Sequence, residues 1–175
     1  TTNKIINEIL IRFANINGSG SLSANGLFTK AIFRSGVPVG SRNIYPSNIE
    51  GLPTWYEIRV SEKAHIGSRG KKADIIISNN PATVADDIAN VIDGGYFIYD
   101  NIFSIDENLL RSDITIMPMP FTVMAKAEFD NPKSRSLMKN IIYIGALAAL
   151  VNLDLEILKQ VVADDFKGKE VVIAE

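Results

Sequence analysis

Cysteine is absent from all 175 residues of the chain. Its absence excludes a disulfide framework, a thiolate nucleophile and Cys-ligated zinc, and it agrees with a reducing compartment. It also excludes a conventional iron–sulfur cluster held by this chain alone, since such clusters need Cys thiolates. Histidine is nearly absent too: His65 is the single one. It sits in the polar loop Glu62 to Lys72 and reads as a surface residue. A Ser-His-Asp triad would have to use it without local support. No charge of one sign dominates, since 18 basic and 20 acidic side chains leave a formal charge of −2. A nucleic-acid partner would call for a basic excess or stripe, so none is expected. The one basic cluster, Arg69, Lys71 and Lys72, lies in a glycine-flanked stretch. It reads as a solvated loop, with a phosphate contact as the alternative. Long apolar runs are missing as well. Thr1 to Ile16 is broken by Asn3, Asn7, Glu8 and Arg12 and offers no signal-peptide core. Ile141 to Leu153, the most apolar stretch, is shorter than the roughly 20 residues that cross a bilayer and reads as a buried helix. A cytoplasmic chain with no membrane partner is expected.

What is present suits one α/β domain spanning 1–175. The apolar fraction of 46% and charged fraction of 22% are near the globular average. Ile9 to Ile16 reads as a mostly apolar strand, as parallel-sheet strands are. Gly18-Ser-Gly-Ser21 follows, then Leu22, Leu27, Ala31 and Ile32 recur at helical spacing until Gly36. Val37 to Pro53 is rich in Gly, Pro, Asn and Ser and reads as a long irregular connection. Trp55 to Ser61 alternates, with Trp55, Glu57 and Arg59 on one side and Tyr56, Ile58 and Val60 on the other. Asp74 to Ser78, Gly95 to Tyr99 and Asp113 to Met117 read as further strands, with Gly94-Gly95 as a stop after a helix at Thr83 to Val91. Helices are expected at about 121–129, 136–151 and 154–163. Strands alternating with helices predict a mainly parallel sheet with helices on both faces.

In such a sheet ligands gather beyond the carboxyl ends of the strands. The residues expected there are Asn17 to Ser21, Ser61-Glu62, Ser78 to Pro81, Asp100-Asn101 and Met119-Pro120. The first group is the most informative. Glycines let the backbone approach a ligand, and amides at a helix N-terminus attract anions such as phosphate. The hydroxyls of Ser19, Ser21 and Ser23 add donors. The dinucleotide fingerprint is incomplete, because its third glycine position falls on Ser23 and no strand ends in an acidic residue about twenty positions on. A NAD(P) site is therefore not expected, and a tight turn without a ligand is the competing reading. No G-x-S-x-G nucleophile elbow frames Ser19 or Ser21. Metal-ligand spacing is lacking, and Asp86-Asp87 and Asp164-Asp165 read as helix-start or solvent-face charges. Asn79-Asn80-Pro81 fits a turn and helix cap as well as a ligand role. Ile49, Glu50, Leu52, Pro53, Trp55 and Tyr56 beside the long loop suggest an exposed apolar surface for a partner.

Together these segments resemble the gamma-type domain of the 2-oxoacid:ferredoxin (pyruvate or 2-oxoglutarate) oxidoreductases. The resemblance runs through Phe13-Ala-Asn-Ile-Asn-Gly-Ser-Gly-Ser-Leu-Ser-Ala-Asn-Gly26 and Tyr45-Pro-Ser-Asn-Ile-Glu-Gly-Leu-Pro-Thr-Trp-Tyr-Glu-Ile-Arg-Val-Ser61. It continues in Ser78-Asn-Asn-Pro81, Gly94-Gly-Tyr-Phe-Ile-Tyr-Asp100, Lys139-Asn-Ile-Ile-Tyr-Ile-Gly-Ala-Leu147 and Phe166-Lys-Gly-Lys169. The loop departs from the commoner Gly-x-Gly-Gly-x-Gly, with serine at 19 and 21. The resemblance implies a Rossmann-like domain of an enzyme that converts a 2-oxoacid, coenzyme A and oxidised ferredoxin into acyl-CoA, CO2 and reduced ferredoxin. It implies thiamine diphosphate, Mg2+ and [4Fe-4S] clusters on other domains. The chain lacks the Gly-Asp-Gly followed by Asn of a thiamine-diphosphate site. The partners implied are the alpha and beta (thiamine-binding) domains or subunits and, through them, ferredoxin.

The expected role is a domain without a redox centre that contributes to coenzyme A binding and subunit packing, with 2-oxoglutarate favoured over pyruvate. The coenzyme A candidates are Gly18, Ser19, Gly20, Ser21, Asn79, Asn80 and Asn101; no catalytic residue is assigned. A free subunit and the N-terminal part of a fused gamma–alpha chain both fit. The alternatives are a purely structural module of the same complex and a stand-alone nucleotide-binding protein.

Overall fold

The computed structural model describes residues 8–46, 49–62 and 72–167. His65, Arg69, Lys71 and the Gly168-Lys169 end of the resemblance lie outside them. In chain order the elements are β1 (Glu8–Ile16), α1 (Ser21–Arg34), β2 (Val39–Ile44), β3 (Pro53–Ser61), β4 (Ala73–Ser78), α2 (Val84–Ala89), β5 (Val91–Asp100), β6 (Thr115–Met119), α3 (Phe121–Glu128), α4 (Pro132–Leu150) and α5 (Leu155–Phe166). The six strands lie in the order β2-β3-β1-β4-β5-β6. Strands β1, β4, β5 and β6 run parallel, while β3 pairs antiparallel with both β1 and β2. The mainly parallel sheet is as expected, with an antiparallel hairpin added at one edge.

That hairpin corrects the reading of 37–53 as irregular. Val39-Gly-Ser-Arg-Asn-Ile44 carries little strand propensity of its own. It becomes a strand because the ladder of β3 offers it partners, from Val39 opposite Val60 to Ile44 opposite Trp55. A second correction concerns Gly94-Gly95, which do not end a segment but lie inside β5. The β4–β5 ladder skips from Ala73 opposite Val91 to Ile75 opposite Tyr96. A Cβ on Gly95 would stand 2.7 Å from the Asp74 carbonyl oxygen, so the irregularity needs glycine there. Helix α4 also starts a turn earlier than expected. Asn131 caps it, its Oδ1 accepting from the amide of Lys133 at 2.8 Å, and Pro132 takes the first helical position.

The expected alternation of β3 holds. Tyr56, Ile58 and Val60 join Phe13, Ile77 and Ile98 in the main core, packed against Phe28 of α1, Tyr143 and Leu147 of α4 and Phe166 of α5. Phe13 and Tyr143 rings meet at 5.6 Å. Each fully buried aromatic there contributes on the order of 2–3 kcal/mol. A smaller core joins Leu10, Ile76 and Phe97 to Val84 and Ile88 of α2 on the opposite face. Helices therefore cover both faces, unequally.

On that second face the β2-β3-β1 rows carry charge. Glu57 faces Arg12 and Arg42 across the ladders. Its Oε1 lies 2.6 Å from Arg12 Nη2 and its Oε2 2.6 Å from Arg42 Nη2, and its side chain is 4% exposed. Removing Glu57 strands the Arg12 guanidinium, 11% exposed, while Arg42, 51% exposed, keeps its water. Glu57→Ala is therefore predicted to cost about 3 kcal/mol, the low end for breaking a buried pair. A shift in the urea midpoint reads the loss, and an unchanged midpoint would contradict the role given to this cluster.

Candidate functional site

The parallel strands end at one rim of the sheet, and the loop from β1 to α1 crosses it. Beyond Ile16, Asn17 pairs with the turn before β3: its amide donates to the Leu52 carbonyl at 2.8 Å, and its carbonyl accepts from Gly51 at 3.0 Å. Gly18 and Gly20 take φ of 87° and 76°, the left-handed region that side chains avoid. Gly18 also admits a close neighbour, since a Cβ there would fall 2.8 Å from Glu50 Cγ. Between the two glycines, the Ser19 carbonyl accepts from Ser136 Oγ at 3.1 Å and Asn140 Nδ2 at 2.9 Å, both on α4. Gly20 is the N-cap of α1, and no side chain caps the helix. The first-turn amides of a 14-residue helix therefore keep their donors for a ligand.

These amides face a cleft of about 310 Å³. The glycine loop forms one wall, the first turn of α1 with Leu22 and Asn25 another, and Asn43, Tyr45 and Thr54 of the hairpin region a third. No charged side chain lines it among the described residues. Asn25 is wholly buried. Its Oδ1 accepts from the Tyr143 hydroxyl at 2.8 Å, while its Nδ2 has no partner among the described residues. Ser19 Oγ is likewise buried without a partner. Burial pushes the Tyr143 hydroxyl well above its ordinary value, so it remains a neutral donor. A second groove, about 380 Å³ between α4 and α5, is lined by apolar side chains such as Ile144, Leu158 and Phe166, with Lys159 as its only polar side chain among the described residues. It lacks the converging polar groups that orient a small ligand.

Of the residues expected from the sequence, Gly18, Gly20 and Ser21 line the cleft, and Ser19 stands behind it as the loop's anchor. Asn79 and Asn80 lie at the end of the neighbouring strand and do not line it. Asn80 Oδ1 accepts from the Ala82 amide at 3.1 Å, the capping alternative, and Asn79 Nδ2 donates to Asn15 Oδ1 at 3.2 Å. Asn101 is exposed at the end of β5, two strands further along, and is not part of the cleft either. Ser61-Glu62 is a correction. Because β3 is antiparallel, Ser61 pairs with Glu8 at the opposite rim.

The proposed partner patch is mixed in exposure. Ile49 and Leu52 are exposed, at 65% and 40%, and Glu50 is exposed beside them. Pro53 and Trp55 are half-buried, and Tyr56 is buried in the main core rather than exposed. Tyr45, 46% exposed, lines the cleft from the segment expected to be irregular. Asn25 falls inside the segment that carries the resemblance, but a mid-helix asparagine by itself marks no ligand role.

Asp87 reads as a helix-start or solvent-face charge. It does stand in the first turn of α2, but at 2% exposed it is no solvent-face charge. Its carboxylate accepts from Trp55 Nε1 at 3.0 Å, Ser78 Oγ at 3.1 Å and Thr83 Oγ1 at 2.7 Å. Trp55 reaches it across Ala14, the small residue opposite it on β1. Asp87 thereby fixes the hairpin residue Trp55, which contributes to the cleft lining. Burial raises the Asp87 pKa, against the hydrogen bonds from Trp55, Thr83 and Ser78 and the charge of Arg12. The folded chain thus holds this proton more tightly than the unfolded one. The group favours folding most in acid, and that contribution fades as pH rises from the ordinary value of 3.8 through the raised one. Asp87→Ala leaves the Trp55 indole N–H without its acceptor, while Ser78 and Thr83 keep the Asn80 carbonyl at 3.4 and 3.3 Å, and it is predicted to cost about 1–3 kcal/mol. Asp87→Asn, which keeps an acceptor for the indole, should flatten the fall in stability above pH ~4. Urea titrations at several pH values check both, and an equal slope in Asp87→Asn would contradict the assignment.

Comparison with known proteins bears on the same segments. Residues 10–175 match the family model described as pyruvate ferredoxin/flavodoxin oxidoreductase. No curated protein matches the chain. Among solved structures, the 2-oxoglutarate:ferredoxin oxidoreductase of Magnetococcus marinus, with 2-oxoglutarate, coenzyme A and succinyl-CoA bound, is 26% identical with a TM-score of 0.81. That match covers 95% of this chain but only 29% of the other, so the chain spans under a third of that relative. The gamma subunit of a keto/oxoacid ferredoxin oxidoreductase from Geobacter sulfurreducens PCA shares the fold at 18% identity and a TM-score of 0.71, covering 89% and 85% of the two chains. The pyruvate oxidoreductase subunit PORC of Thermotoga maritima does so at 16% identity and 0.66, covering 96% and 90%.

Proposed function

Because the chain belongs to the pyruvate ferredoxin/flavodoxin oxidoreductase family, we propose that residues 1–175 form the gamma-type domain of a 2-oxoacid:ferredoxin oxidoreductase and bind part of its coenzyme A. The observation that carries this reading is the cleft at the glycine loop, with its uncapped helix and the buried, unpartnered Asn25 Nδ2. A cleft of about 310 Å³ is at the small end for ligand sites, so it takes part of a molecule as long as coenzyme A. The rest of the ligand would lie on alpha and beta domains, whether separate subunits or a continuation of a fused chain. The relative with 2-oxoglutarate and succinyl-CoA bound supports 2-oxoglutarate as the 2-oxoacid.

The residues present do not fit the other groups of such an enzyme. A [4Fe-4S] cluster needs thiolates, and the chain has none. Among the described residues no group of three His, Cys, Asp or Glu could hold a metal ion such as the Mg2+ of a thiamine-diphosphate site. Coenzyme A is different, because its acceptor oxygens complement the free amide donors of the cleft. This domain's share of the reaction is to bind and orient that co-substrate while other domains carry the electrons to ferredoxin. No helix among the described residues is long and apolar enough to cross a membrane. A purely structural role is the second reading, favoured by the exposed Ile49 and Leu52 beside the loop.

Calorimetric titration of coenzyme A into the full chain separates the two. Binding is expected, and Gly20→Ala should weaken it about tenfold, since its left-handed φ strains any Cβ by about 1–2 kcal/mol and turns the first-turn amides away. A flat response at millimolar ligand would leave the structural reading.

A further inference from the structure

Away from the cleft, the groove of about 380 Å³ between α4 and α5 has the chemistry of an interior surface. Ile141 and Ile144 of α4 line it with Leu158, Val162 and Phe166 of α5. Leu155, which also lines it, is 45% exposed. Contiguous apolar surface of this kind marks a place that another segment covers.

Gly145 points the same way. It stands in the groove in the middle of α4, and a Cβ there would meet nothing within 4 Å. Packing among the described residues therefore gives no reason for glycine at this position. Glycine inside a helix costs stability relative to alanine, and one use of it is to let another backbone come close.

The chain itself supplies a covering segment of matching chemistry. Helix α5 ends at Phe166, itself a lining residue, so the chain leaves the helix beside the groove. Lys167, with φ −52° and ψ 123°, turns it out of the helical path. Beyond the described residues the sequence reads Gly-Lys-Glu-Val-Val-Ile-Ala from 168 to 174, ending in four apolar residues in a row. Seven residues reach up to about 24 Å when extended, while Leu158 lies about 12 Å back from Phe166 along α5. The apolar run is thus long enough to lie in the groove without help from a second chain.

We propose that Val171 to Ala174 dock in the α4–α5 groove, passing close over Gly145, and complete the apolar packing of α4. The same helix carries Ser136 and Asn140, which hold the Ser19 carbonyl, so this contact also steadies the glycine loop.

The absence of cysteine allows a direct test in the full chain. Gly145→Cys is combined with Val172→Cys or with Ile173→Cys, and the pairs are treated with a mild oxidant. The control pair is Val123→Cys with Ile173→Cys, since Val123 is 58% exposed on α3, outside the groove. A disulfide forms only between close Cα positions, so at least one groove pair should link within its own chain at least about tenfold faster than the control. Gel mobility without reductant and peptide masses read the link. In the cysteine-free chain, Ile173→Asp should lower the urea midpoint and raise the fluorescence of an apolar dye by opening the groove. It decides the matter if circular dichroism shows the Gly145→Cys chains to be unfolded. Groove pairs that link no faster than the control would overturn the proposal. Links formed only between chains would overturn it in favour of a second copy as the occupant. An Ile173→Asp chain with the midpoint and dye signal of wild type would overturn it as well. None of these readouts depends on coenzyme A binding.

Discussion

The Ser19 carbonyl lies between two left-handed glycines and is gripped by Ser136 and Asn140 of α4. Neither grip is local: the partners lie 117 and 121 residues away in sequence. The arrangement orients the loop after β1, and the loop sets the start of α1. Without it, the uncapped amides of α1 would have no fixed relation to the hairpin that forms the cleft's other wall. Helix α4 can act this way because its buried face, with Tyr143, Ile144 and Leu147, is seated in the main core against Phe13 and Phe28. Packing energy spent far from the rim thus becomes positional accuracy at the rim.

The opposite face of the sheet supplies the second wall by different chemistry. There the β2-β3 hairpin is tied to β1 by Arg42, Glu57 and Arg12, and to α2 by the Trp55–Asp87 hydrogen bond. Helix α2 has only six residues and a small apolar contact. Its buried carboxylate gathers donors from β3, β4 and the turn before it, and does work that apolar area could not do there. The cleft is held from both faces: through an apolar core on one side and through buried polar pairs on the other.

The parallel strands, the glycine turn and the alternation of β3 were legible because each follows from local pattern. Ile9 to Ile16 and Asp74 to Ser78 are apolar runs, and Gly18-Ser-Gly20 can only be a tight turn. Strand β2 was not legible, since Val39 to Ile44 gains its conformation from β3 rather than from its own residues. The antiparallel direction of β3 was hidden for the same reason, and it misplaced Ser61-Glu62 at the wrong rim. Asn25 and Asp87 escaped notice because burial and distant partners, Tyr143 for one and Trp55 for the other, give them their character. Asn80 shows the reverse case, where a motif legible as either cap or ligand contact is occupied by the cap.

The central claim is that the glycine loop and the first turn of α1 form the ligand-contacting surface of this domain. The most direct measurement is a 15N-resolved NMR titration of the labelled full chain with coenzyme A. The account predicts that the largest shifts fall on the amides of Gly18 to Ser23 and on the side-chain amide of Asn25, with little change along α5. Shifts centred on the α4–α5 groove, or on Asn101 at the far end of the rim, would contradict it.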